Sequence, residues 1–170
     1  MAEITLKGKV IHTVGNLPIV GSKAPDFNLT TIELTDISLS EFKGKKILMN
    51  IFPSLETDIC AESIRFFAAE APYLENTVVL CVSNDLPFAH KKFFMTEGIK
   101  NVISVSQMRD RKFGEDYGIV MKDGSLAGIL SRAIVIIDET GTVAYTEQVP
   151  EIGQAANYKK AISVLQTKTE

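Results

Sequence analysis

The chain has 170 residues, 45% hydrophobic and 23% charged, with a formal net charge of −3 at pH 7. This suits one soluble globular domain whose core needs no disulfide staple, and the lack of a basic stripe argues against a nucleic-acid partner. No apolar run approaches the roughly 18 residues that span a membrane, no apolar secretory segment opens the chain, and two cysteines do not make a secreted disulfide scaffold, so a reducing, cytoplasmic setting is expected.

In chain order, Ile4 and Leu6 alternate with polar neighbours, Gly8 marks a turn and Val10-Ile11 resume a strand, which predicts a hairpin over residues 3–13. Gly15-Asn16-Leu17-Pro18 breaks it, and Ala24-Pro25-Asp26-Phe27 enters an extended Asn28-Leu29-Thr30. Ser40 to Gly44 reads as one helical turn closed by glycine. Lys46–Phe52 and Thr77–Ser83 are nearly continuous apolar runs, the pattern of strands covered on both faces. Between them Ile59, Ile64, Phe67, Ala68 and Ala71 recur at helical spacing from Asp58 to about Ala71. A second helix starts at Asp85-Leu86-Pro87 and stops at Gly98; a strand follows at Asn101–Ser106, then a short helix over Asp110–Tyr117. Arg132–Asp138 and Thr142–Gln148 flank Glu139-Thr140-Gly141 as a hairpin, and a last helix runs from about Gln154 to Leu165. No repeat or linker interrupts residues 1–170, so a single domain is expected. Its class is α/β, a central mixed sheet flanked by helices. Sites in such sheets lie at the carboxyl ends of strands, so the segment after Lys46–Phe52 is the first place to look.

Thr57 there is a natural N-cap, which puts Cys60 at the third helical position. Unpaired backbone N–H groups and the positive end of the helix dipole then face the sulfur and favour thiolate over thiol. The Thr57 hydroxyl is placed to donate to that thiolate or to orient a substrate oxygen, and Pro53 to fix the backbone and shield the pocket. A cysteine in an arbitrary helix usually just fills space; the cap, the proline and the strand-end position argue otherwise here.

Pro53-x-x-x-Thr57-x-x-Cys60 resembles the peroxidatic-cysteine motif of the peroxiredoxins, and nearly the whole chain is similar to their thiol peroxidase subfamily. Asp85-Leu86-Pro87-Phe88-Ala89 and Ser131-Arg132-Ala133 extend the resemblance. It implies a thioredoxin-like fold with an N-terminal β-hairpin, usually a homodimer, with no cofactor or metal. It implies that Cys60 reduces hydrogen peroxide and organic hydroperoxides through a sulfenic acid, with thioredoxin or a low-molecular-weight thiol as reductant. Arg132 matches the family's active-site arginine; without the resemblance it reads as a solvated charge at a strand start.

The resemblance breaks at one position. The resolving cysteine expected in the helix after residues 85–89 corresponds to Phe94. Cys81 is the only other thiol and reads as an inert residue of a core strand, with resolution of Cys60 by Cys81 as the alternative. A one-cysteine cycle is therefore expected, with a redox sensor that oxidises at Cys60 without turnover as the alternative. His90, followed by Lys91 and Lys92, reads as part of a solvated helix face. No C-x-x-C pair, nucleotide-binding glycine loop or zinc-ligand spacing is found.

Overall fold

A computed structural model describes residues 1–167. β1 (Glu3–Leu6) and β2 (Lys9–His12) pair as the expected hairpin. Lys7 and Gly8 take φ of 51° and 76° in its two-residue turn, the conformation whose twist suits the flanking strands. Seven further strands follow: β3 (Asn28–Thr31), β4 (Asp36–Ser38), β5 (Lys46–Ile51), β6 (Thr77–Ser83), β7 (Ile103–Ser106), β8 (Ala133–Ile137) and β9 (Val143–Gln148). The helices are α1 (Asp58–Glu70), α2 (Pro87–Glu97), α3 (Lys112–Asp116) and α4 (Tyr158–Gln166).

The seven strands form one mixed sheet in the order β4-β3-β7-β6-β5-β8-β9. β5, β6 and β7 run parallel, and β8 lies antiparallel to β5 with Ile51 opposite Ala133. Both faces of the central strands are covered, which is why their sequences show no alternation. The alternation exists in space. Ile47, Met49 and Ile51 of β5 join Ala133, Val135 and Ile137 of β8 and Phe113 of α3 in one cluster. Leu48, Ile134 and Ile136 face the other way, onto Phe67 of α1 and Ala161, Ile162 and Leu165 of α4.

The structure adds one strand that the sequence reading lacks and moves the starts of two helices. β4 is a three-residue edge strand, too short and polar to show a period. α3 starts at Lys112, whose N–H donates to the Asp110 carboxylate at 3.0 Å. α4 starts at Tyr158 because the Asn157 side chain caps it, accepting the Lys160 N–H at 3.0 Å.

Candidate active site

β5 delivers the chain into the sheet's carboxyl edge, where Phe52 and Pro53 are buried. Thr57 then adopts extended backbone angles and caps α1: its hydroxyl oxygen accepts the Cys60 N–H at 3.4 Å. The hydroxyl hydrogen goes to the Ser54 carbonyl at 3.3 Å, not to the sulfur, so Thr57 closes the turn ahead of the helix. Cys60 is fully enclosed (0% exposed), packed with Phe52, Leu55, Ile64, Cys81 and Phe94.

Arg132 lies 4% exposed at the start of β8. The pairing of Ile51 with Ala133 brings it level with Phe52, on the sheet face that carries α1. Its Nη1 donates to Cys60 Sγ at 3.3 Å and its Nε to the Ile152 carbonyl at 3.1 Å. Its own carbonyl accepts from the Val149 N–H and the Gln148 side chain, both at 3.0 Å. Among the described residues no carboxylate pairs with the guanidinium. A buried guanidinium needs partners for its N–H groups, and here they are the sulfur of Cys60 and the Ile152 carbonyl. Cys60, Arg132 and the Thr57 cap thus converge, and Pro53 is buried in the bend that follows β5.

The loop before Cys60 is tied to the end of β6. Asp85 accepts from the Leu55 N–H at 2.9 Å, the Ser54 hydroxyl at 3.0 Å and the Ser83 hydroxyl at 2.6 Å. Ser83 has one hydroxyl hydrogen and gives it to that carboxylate, so it accepts from His90 Nε2 at 2.9 Å. The other ring nitrogen, Nδ1, then accepts from Ser104. His90 is therefore not on a solvated face but fully buried (0% exposed), a correction to the sequence reading. Burial pushes its pKa down to about 4. Lys91 and Lys92 are exposed; His90 shares the buried stripe of α2 with Pro87 and Phe94.

Cys81 sits on β6 opposite Asn50, wholly buried, and burial pushes its thiol up to about 12. Phe94 fills space in the same cluster as both cysteines. Two further residues have surroundings that the sequence does not announce. Tyr158 packs tilted on Phe66 and edge-on against Phe67, and its buried hydroxyl has no hydrogen-bond partner among the described residues. Asp85 enters the sequence reading as a helix start and as the first residue of the 85–89 stretch, and neither marks it as a loop anchor.

A cysteine at a helix N-terminus, under a buried guanidinium at the edge of a mixed sheet, defines a thiol-based redox protein. The redoxin family profile matches residues 19–162. The chain is 54% identical over 165 residues to the thiol peroxidase of Mycobacterium tuberculosis, covering 97% of this chain and 99% of that one. It is 46% identical, over the same shares, to the thiol peroxidase of Corynebacterium glutamicum. The crystal structure of a peroxiredoxin-like protein from Aquifex aeolicus superposes with a TM-score of 0.92 at 34% identity, covering 98% of this chain and 96% of that one. The chain belongs to the redoxin family and, within it, to the thiol peroxidases of the peroxiredoxin type. It has their thioredoxin-like fold, and its activity is thiol-dependent reduction of peroxide. No helix among the described residues is long and apolar enough to cross a membrane.

Proposed function

We propose that Cys60 is the peroxide-reducing thiol, that Arg132, Thr57 and Pro53 build its pocket, and that the cycle uses this one cysteine. The observation that carries the reading is the hydrogen bond from Arg132, a buried cation with no acid partner among the described residues, to Cys60 Sγ. Thr57 caps the helix that presents the sulfur, and Pro53 fixes the turn before it.

The chemistry follows. The Cys60 thiolate attacks the terminal oxygen of a hydroperoxide; an S–O bond forms and the O–O bond breaks. The leaving alkoxide or hydroxide takes a proton and departs as alcohol or water, leaving Cys60 as a sulfenic acid, oxidised by two electrons. The Arg132 guanidinium offers further N–H donors to the oxygens on which negative charge develops. An external thiol then attacks the sulfenic sulfur, releasing water and forming a mixed disulfide. A second thiol, from thioredoxin or from another small thiol, frees the Cys60 thiolate and leaves as the oxidised reductant.

Two features support the one-cysteine cycle. Phe94 occupies the resolving position, and Cys81 is held protonated in a core strand, where a nucleophilic thiolate is disfavoured. The protein acts in the cytoplasm as a homodimer on this reading. Exposed Leu86, Phe88 and Met95, at and before α2, offer apolar surface for a second copy. The whole chain works as one domain.

Mass spectrometry after one equivalent of hydrogen peroxide tests the cycle. The expected product is a sulfenic acid on Cys60, trapped by dimedone and turned over by thioredoxin, glutathione or dithiothreitol. An intramolecular Cys60–Cys81 disulfide overturns the one-cysteine cycle. Oxidation with no turnover by any reductant points instead to a sensor.

A further inference from the structure

We infer that Glu151 is a positioning residue for Arg132: through the peptide unit between Ile152 and Gly153, it and the N-terminal hairpin hold the guanidinium on Cys60. The inference rests on the reading of Arg132 given above.

The path is continuous. The carbonyl end of the Ile152–Gly153 peptide accepts from Arg132 Nε at 3.1 Å. The N–H end of the same peptide donates to Glu151 Oε1 at 3.2 Å. One planar unit is thus gripped at both ends, so it cannot turn without releasing one of them. A carboxylate on the N–H also polarises the carbonyl and makes it a better acceptor for the arginine.

Glu151 is itself held by the hairpin. Its carboxylate accepts from the Thr5 hydroxyl at 2.7 Å, the Lys7 N–H at 3.0 Å and the Gly8 N–H at 3.2 Å. The two amides belong to the positive-φ turn, and each bonds a different oxygen of the one carboxylate. Thr5 adds two backbone bonds, donating to the Pro150 carbonyl at 2.7 Å and accepting the Ile152 N–H at 2.9 Å. Ile152 is buried with Ile4, Ile11 and Met121, which seats the segment on the hairpin. The four donors hold the Glu151 carboxyl down at about 2, so the clamp is charged at neutral pH.

Arg132 needs such a holder. An arginine is usually oriented by a carboxylate fork, and here no carboxylate pairs with it among the described residues. Apart from its bond to sulfur, the Nε contact with Ile152 is the guanidinium's one orienting hydrogen bond among those residues. A small misplacement of an oriented charge is expensive in rate.

The test is the second-order rate constant for oxidation of Cys60 by hydrogen peroxide, read by rapid-quench mass spectrometry. Glu151→Gln is measured in the native background and in an Arg132→Lys background, with melting temperatures for all four proteins. In the native background the substitution slows oxidation about tenfold. In the Arg132→Lys background, where the Nε donor is gone, it changes the rate by less than about twofold. Equal slowing in both backgrounds, or a native rate in folded Glu151→Gln, overturns the inference. A native rate in Arg132→Lys alone refutes the role of Arg132 and the clamp with it. If Arg132→Lys is slow and Glu151→Gln is not, the clamp alone fails. Should Glu151→Gln not fold, Thr5→Val removes one of the four donors and carries the same two-background comparison, with an expected slowing of about threefold.

Discussion

The Asp85 carboxylate accepts the Leu55 N–H at 2.9 Å, so the end of β6 holds down the loop that covers Cys60. Asp85→Ala leaves Leu55, Ser54 and Ser83 without this acceptor. The expected loss is about 2 kcal/mol of stability, since groups left unsatisfied near the core cost about 1–3 kcal/mol. Leu55 then covers the sulfur less often, and Cys60 alkylates faster with iodoacetamide. Urea melts and alkylation rates check this; an unchanged alkylation rate counts against the loop's role as cover.

His90 gives acid sensitivity a definite sign. Its folded pKa of about 4 lies below the ordinary 6.5, because burial disfavours the cation more than Asp85 favours it. The unfolded chain takes up the proton first, so stability falls as pH drops from 6.5 towards 4. At about 1.4 kcal/mol per pH unit, the full effect is up to about 3 kcal/mol. His90→Gln removes this component, so the difference between its urea midpoint and the native one changes over that interval. A constant difference contradicts the assignment.

Cys81 is expected to be chemically silent. Buried, with its thiol pushed up to about 12, it resists thiol reagents until the protein unfolds. Cys81→Ala keeps the rate of peroxide consumption and costs about 1–2 kcal/mol for the small cavity left. Loss of turnover in that variant instead makes Cys81 part of the cycle.

Phe94→Cys puts a thiol at the position proposed for a resolving cysteine, in the same packed cluster as Cys60. The variant loses stability, because Phe94 is 7% exposed and its ring fills core. The sulfenic acid gains a partner, so less of it advances to sulfinic acid at a given peroxide concentration. Native and variant proteins are compared by the sulfinic fraction after repeated peroxide additions; equal fractions weigh against the one-cysteine cycle.

Much of this was open to sequence reasoning, with limits that have physical causes. The strand runs and the Thr57 cap are local signals, so their positions emerge within a residue or two. The face of the sheet that Arg132 occupies is not local. It follows from the parity of β8, where Ile134 and Ile136 point to α1 and α4, but an all-apolar run hides its own alternation. At His90 the adjacent Lys91 and Lys92 give the segment a solvated look, while spacings of three and seven residues put Pro87, His90 and Phe94 on one buried stripe. Glu151 meets Thr5 across 146 positions, and no local pattern in either segment announces the other.

The bond between Arg132 and Cys60 spans 72 positions, and this orders events during synthesis. A ribosome that has finished α1 has already made Cys60, but Arg132 waits until β8 emerges and docks against β5. The nascent chain therefore carries this cysteine without its guanidinium neighbour until residue 132 has been made. The contact forms only with the closing strands, so a chain cut short before residue 132 keeps the thiol and lacks the group that donates to it.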